Sequence, residues 1–438
     1  MPVSGGKSIQ RFLTRNRVLT DRHDLAKYCR AFLEEMSRGL QGQPSTLPMI
    51  PTYIETAREV LRGERVIALD AGGTNFRAAV VSFDTEGKPV IEDLARHAMP
   101  GADSDIDRDE FFAALARLVL PLAHRARAIG FCFSYAVEMQ ADKDGRLLYF
   151  TKEIKAHGVE GQHIGRGLAR ALIAAGGQAP SRIVLLNDTV ATLLAGRNAQ
   201  PGRRFDDFVG IVCGTGINAA YVEANSLIGK LTGLDPSASQ IVNTESGSFG
   251  RGAYGRVDDA YDASTATPGK YRHEKTISGA YLGALCLFAA QKAAGEGCFA
   301  SGTASAVAGI PSLSTRELNE FLLYPDSTGN PLGAVAHRAS LENGQALYVL
   351  CDALVDRAAA MAAVNLSAVI LKTGKGRDPR YPVCVTVDGT TFWQLRTFHA
   401  RVESWMRMLL SGEQSRSWEI ASVTDAPLLG AAIAALTN

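Results

Sequence analysis

A chain of 438 residues, 46% hydrophobic and 21% charged, has globular composition and is longer than one core usually absorbs, so two domains are expected. Its 46 basic and 45 acidic residues leave a formal charge of +1, which excludes the strong basic field that draws in nucleic acid or an anionic membrane. Seven cysteines without a C-x-x-C pair argue against a disulfide framework and a zinc site. The first residues lack the apolar stretch of a signal peptide, and no apolar run reaches the length of a bilayer crossing. These features predict a soluble, reduced, cytoplasmic protein.

The first sixty residues read as polar helices closed by a proline-punctuated connector, LPMIPTYIETAREVLRGE. VIAL (66–69), the turn DAGGTN and the run RAAVVSF then predict a hairpin, with Asp70 as the last residue of its first strand. Asp107 and Glu110 form a capping-box pair ahead of a helix that Pro121 kinks or ends. ARAIGFCFSY and RIVLL (182–186) are buried strands, and NDTVATLLAG after the latter opens a helix. DFVGIVC, GTG and INAAYVE repeat the strand, Gly-Thr turn, strand design, an echo that points to two related halves. Helices follow around 276–294 and 346–371, with a Gly-, Pro-, Ser- and Asn-rich loop over 324–345. Strand 382–387, a helix near 398–410 and a strand-helix unit ending in APLLGAAIAALTN complete an α/β chain.

The chemistry sits in the turns. At DAGGTN, Gly72 and Gly73 can take positive φ and aim backbone N–H groups at phosphate oxygens. Thr74 supplies a hydroxyl there, and Asp70 can reach a water on Mg²⁺; the plain alternative is a tight polar turn. Gly214 and Thr215 repeat the arrangement, which suggests two phosphate-gripping hairpins across a cleft. Asn187 and Asp188 stand where a buried strand meets a helix. They read either as a helix N-cap or as a general base beside an amide that binds a polyol. GRGAYG (250–255) follows a polar segment rather than a strand, so it is not a dinucleotide site. GGKS (5–8) lacks the first glycine of a P-loop.

Taken together, the segments resemble the hexokinase family. PTYIE before VIALDAGGTNFR is similar to its first phosphate segment, and FCFSYAVEMQADKDGRLLYFTKEIKAHG resembles its sugar signature. LLNDTVATLLAG, GIVCGTGINAAYVE, IVNTESGSFG, HEKTISGAYLG and VTVDGTTFWQL resemble further family motifs, in order from about residue 48 to 395. The resemblance implies an actin-like ATPase fold, two RNase H-like domains flanking an active-site cleft. The small domain would span 64–188 with the C-terminal helix 427–438, and the large one 1–63 and 189–426. It implies transfer of the ATP γ-phosphoryl group to O6 of a hexose, with glucose the leading substrate. Ser134, Thr151, Lys152, Asn187, Asp188, Asn218, Glu245 and Glu274 would line the sugar pocket, with Asp188 as base and Lys152 facing sugar and phosphoryl group. Asp70, Gly72, Gly73, Thr74, Asn75, Gly214, Thr215, Gly389 and Thr390 would hold Mg²⁺–ATP.

A hexose pocket built from amides and carboxylates suits a ring of hydroxyls, each donor and acceptor. Phosphoryl transfer needs alignment, charge neutralisation and a proton acceptor more than covalent help. The sequence departs from the family pattern at Ala136 (Pro), Phe150 (Trp), Glu153 (Gly) and Ser246 (Trp), and in DAPLLGAA (425–432). That last change bears on the adenine side, and Glu153 sets a carboxylate beside Lys152. Two rival readings are a hexose-binding regulator with little turnover and an actin-like ATPase or assembly protein, though the latter leaves the sugar-facing segments without a purpose.

Overall fold

The computed structural model describes residues 5–150, 154–200 and 202–438. Two sheets organise them, and both are strung in the same order. In the first, Val66–Gly72 pairs antiparallel with Asn75–Phe83, and that strand with Pro89–Ala98. On its other side Val66–Gly72 runs parallel to Ala128–Phe133, which runs parallel to Arg182–Leu186. In the second sheet Asp207–Cys213, Ile217–Ala224 and Ser239–Asn243 make the antiparallel half, and Val383–Asp388 and Trp418–Ala421 the parallel half. Numbered along the chain, each reads 3-2-1-4-5. The echo between VIALDAGGTN and DFVGIVCGTG is therefore an echo of whole folding units, the duplicated arrangement of the actin-like ATPase fold. The second sheet also takes a short edge strand, Ile50–Pro51, from the proline-rich connector.

Burial explains the strands. VIALDAG is covered along almost its whole length, which is why its VIAL portion is a continuous apolar run rather than an alternating one. The outer strand Pro89–Ala98 is largely exposed and charged, which protects that edge from pairing with another chain. Between the sheets lie helices Asp188–Asn198 and Ala426–Thr437, whose small apolar residues fill one shared core with strand residues of both sheets.

Five expectations need correction. The pairing of the first hairpin continues past Asp70 to Gly72↔Asn75, so only Gly73 and Thr74 form the turn. Asp107 caps helix Arg108–Val119 through the Glu110 N–H at 2.8 Å, but Glu110 turns its carboxylate to Arg117 instead of closing the box. The stretch 324–345 is a loop only over 324–330. Asn330 caps helix Pro331–Arg338, with Pro331 in its first turn, and Ser340 caps the next helix. That helix, Leu341–Thr373, is long and apolar enough by length and composition to cross a bilayer, contrary to expectation; 89% of its most apolar window is buried inside the protein. It is the central helix of the largest core, and its Arg357 is clasped at 2.5 and 2.8 Å by Asp258 of helix Arg256–Ser264. The helix expected over 276–294 is two, Arg272–Ile277 and Leu282–Gly295.

Candidate active site

The residues expected to face the sugar converge where strand ends of both sheets meet. Asn187 caps helix Asp188–Asn198, its Oδ1 accepting the Thr189 N–H at 2.9 Å and the Thr189 hydroxyl at 2.6 Å. The cap reading therefore belongs to Asn187. Asp188 begins the helix, where the positive end of the helix dipole favours a carboxylate, and it accepts the Thr189 N–H at 2.8 Å. Asn218, on the strand after the Gly214–Thr215 turn, donates to Asn243 Oδ1 at 2.7 Å and Glu245 Oε1 at 3.3 Å. Asn243 in turn donates to Glu245 Oε1 at 2.8 Å.

Glu245 is held in the left-handed region at φ 54°, a conformation that costs a non-glycine residue roughly 1–2 kcal/mol. The amide network holds it there. Burial pushes the Glu245 carboxyl up, with Asp188 adding to the effect and the Asn243 and Asn218 amides opposing it. Glu274 stands on helix Arg272–Ile277 and accepts the Ile217 N–H at 3.2 Å. That short helix is anchored by its neighbour Lys275, which is buried and donates to Asp262 Oδ1 and the Thr267 carbonyl, both at 2.6 Å. Ser134 follows strand Ala128–Phe133, its N–H bonded to the Ala71 carbonyl at 3.0 Å.

The turns expected to hold phosphate are equally specific. Thr74 and Asn75 are exposed at the tip of the first hairpin, and Gly73 takes φ 68°. The buried Tyr135 hydroxyl donates to the Gly73 carbonyl, fixing the turn from beneath. In the second, the Gly214 carbonyl accepts from the Gly279 N–H at 2.7 Å and the Thr391 hydroxyl at 2.8 Å. Gly389, at φ 122°, packs on the same turn; a Cβ there would stand 2.7 Å from the Gly214 nitrogen. Thr215 and Thr390 are exposed beside it. The two Gly-Thr turns are thus built on opposite sheets.

What joins them is a charge cluster that motif reading passed over. Arg77 donates Nε and Nη2 to Asp70 Oδ2 at 2.9 and 2.7 Å, and Nη1 to Asp425 Oδ1 at 2.5 Å. Asp388, at the end of Val383–Asp388, feels the same group. Burial pushes its carboxyl up, the Gly389 N–H and Arg77 oppose that, and Asp70 and Asp425 add to it. Among the described residues no group of three or more His, Cys, Asp or Glu side chains could cage a metal ion. Three carboxylates about one guanidinium fit a magnesium ion that arrives with nucleotide and keeps its waters, since such an ion needs only one or two carboxylates.

Thr151 and Lys152, expected in the pocket, and Glu153 lie outside the described residues. Of the other departures, Phe150 packs edge-to-face on Tyr135 and Phe111, at ring separations of 5.2 and 5.8 Å. It keeps the aromatic character of the tryptophan it replaces. Ala136 opens strand Ala136–Met139 at an irregularity in its pairing. Ser246 is buried and accepts from Asn365 of the 33-residue helix at 2.9 Å, tying the Glu245 turn to the core. In DAPLLGAA, Asp425 precedes helix Ala426–Thr437 and is committed to Arg77, while Pro427 removes one N–H from that helix start. GRGAYG ends at Gly255, ahead of helix Arg256–Ser264 with no strand leading in, as expected. Arg77, Asp388, Asn243, Tyr135 and Thr391 are the contributors that motif spacing missed. Each lies inside or beside a recognised segment.

Two duplicated sheets, paired Gly-Thr turns and an amide–carboxylate cluster define a class: a sugar kinase on the actin-like ATPase frame. The chain belongs to the hexokinase family, its residues 9–198 and 208–437 matching the two profiles described as Hexokinase. It is 30% identical over 443 residues to Hexokinase-7 of Oryza sativa subsp. japonica, covering 93% of this chain and 92% of that protein. It is 29% identical to Hexokinase-1 of Arabidopsis thaliana, over 93% and 86% of the two chains. The solved hexokinase of Schistosoma mansoni complexed with glucose superposes with a TM-score of 0.80 at 24% identity, covering 99% of each chain.

Proposed function

We propose that the protein transfers the γ-phosphoryl group of Mg²⁺–ATP to O6 of a hexose, glucose first. The observation that carries this reading is the hydrogen-bonded set Asn218–Asn243–Glu245, placed beside Asp188 and Glu274. It commits two amides and ionisable oxygens to a small space, the donor–acceptor mixture a hexose ring requires. Glu245 and Glu274 accept hydrogen bonds from sugar hydroxyls, while Asn187 and Asn218 orient the ring. Asp188 accepts the O6 proton as the new P–O bond forms, and the positive charge of Lys152 is assigned to the transferring group. Gly72, Gly73, Thr74 and Asn75 on one sheet, and Gly214, Thr215, Gly389 and Thr390 on the other, align the phosphates with Asp70 and Asp388 nearby. Bound with the nucleotide, Mg²⁺ would neutralise phosphate charge, held through water by Asp70.

The two lobes, 64–188 with the C-terminal helix and 1–63 with 189–426, close on the sugar and exclude water. Seven free, buried cysteines support a reducing compartment, the cytoplasm. The test is ADP release by the full chain with and without glucose. Sugar-dependent release supports the kinase; glucose binding without release identifies a regulator; equal release without any hexose identifies an ATPase.

A further inference from the structure

Tyr149 and Tyr271 meet across the cleft. Tyr149 ends strand Gly145–Tyr149, in the ribbon beside the first sheet, and is 44% exposed. Tyr271 precedes helix Arg272–Ile277, which packs on the second sheet's side of the molecule and carries Glu274. Their hydroxyl oxygens are 3.0 Å apart, one donating to the other. Tyr271 is held at φ 53°, in the left-handed region that a bulky side chain rarely occupies. Its hydroxyl pKa is pushed up by the bond to Tyr149, by burial, and by the nearby carboxylates Glu245 and Glu274. The bond thus closes over the two carboxylates assigned to the sugar.

The connection does not stop at Tyr149. The next residue, Phe150, packs on Tyr135, and Tyr135 donates to the Gly73 carbonyl of the first phosphate turn. A continuous line of contacts runs from the helix of Glu274, across the cleft, to a phosphate turn. We infer that Tyr149 and Tyr271 are positioning residues whose hydroxyl–hydroxyl bond shuts the sugar end of the cleft over Glu245 and Glu274. The inference rests on the reading of this cleft as a hexose site. A neutral, half-exposed bond suits a closure of this kind, because it can break and re-form in each turnover without stranding a buried charge.

A net hydrogen bond of this kind changes an equilibrium roughly 3- to 10-fold. Tyr149→Phe and Tyr271→Phe each remove the bond while keeping both rings. Each should raise the glucose KM by about that factor and leave kcat within about twofold. The double variant should be no worse than either single one, since only one bond exists to lose. Solution scattering without sugar should show both variants more expanded than wild type, and saturating glucose should bring all three to one radius. Unchanged KM and unchanged scattering in both folded variants would overturn the proposal, as would additive effects in the double variant. If wild type turns over no hexose, the kinase reading fails, and sugar-free scattering alone decides whether the bond holds the lobes together.

Discussion

Replacing Arg77 with methionine keeps the length and apolar stem of the side chain and deletes the charge that gathers three carboxylates. Its guanidinium makes two bonds to Asp70 and one to Asp425, in a pocket where Arg77 keeps 21% of its side-chain surface exposed. Removing one partner of a buried ion pair costs roughly 3–5 kcal/mol, and the residual exposure of Arg77 argues for the lower end, about 3 kcal/mol. If the lobe carrying the first sheet melts as its own unit, the midpoint drops by roughly 6–12 °C. The pH dependence identifies the cause. Burial already pushes the Asp388 carboxyl up, with the Gly389 N–H and Arg77 opposing that shift. Without Arg77 its folded pKa rises further above the unfolded value. The penalty for leaving it ionised is then full at neutral pH and fades as pH falls through the raised range. Thermal melts of wild type and Arg77→Met between pH 5 and 8 should show a deficit that narrows on acidification. A deficit independent of pH, or none, would refute the reasoning.

Two further outcomes test the two sides of the cleft. Gly389→Ala forces a Cβ against the Gly214 turn at φ 122°, so it should cost roughly 2–3 kcal/mol in denaturant titrations and weaken nucleotide binding more than glucose binding. Asn243→Ala removes the 2.8 Å donor that opposes the raised pKa of Glu245. The glucose KM should rise about tenfold at neutral pH. It should also begin its acid-side increase at higher pH than in wild type, because protonated Glu245 accepts less well; parallel pH profiles would remove Asn243 from this role.

The features legible in the sequence were those written locally. Strands 66–72 and 207–213 announce themselves as apolar runs ending in Gly-Thr turns, and the order of motifs brought Asn187, Asp188, Asn218, Glu245 and Glu274 to one place. The 324–345 stretch misled because Asn330-Pro331 signals a helix start as well as a loop, and composition alone does not separate the two. The bilayer-length helix was hidden by Arg357, Asp352, Asp356 and Asn365, polar residues that interrupt the apolar run. Arg357 and Asn365 are satisfied inside the fold by Asp258 and Ser246. The remaining site residues depend on contacts between distant segments. Arg77 and Asp425 are 348 positions apart and Tyr149 and Tyr271 are 122 apart, and neither pairing leaves a periodic or motif trace.

Asp188→Asn tests the central claim most directly. Asparagine keeps the size of the side chain and an oxygen for the Thr189 N–H, and Asn187 continues to cap the helix, so the stability cost should be limited to about 0.3–1 kcal/mol for the lost carboxylate at the helix start, and the variant should remain folded. A positioned general base contributes roughly 10²–10⁴-fold to a rate. Turnover of ATP with saturating glucose should therefore fall by about that factor, while glucose affinity, measured without nucleotide, changes much less. Full turnover in a folded Asp188→Asn protein would contradict the assignment of Asp188 as the group that accepts the O6 proton.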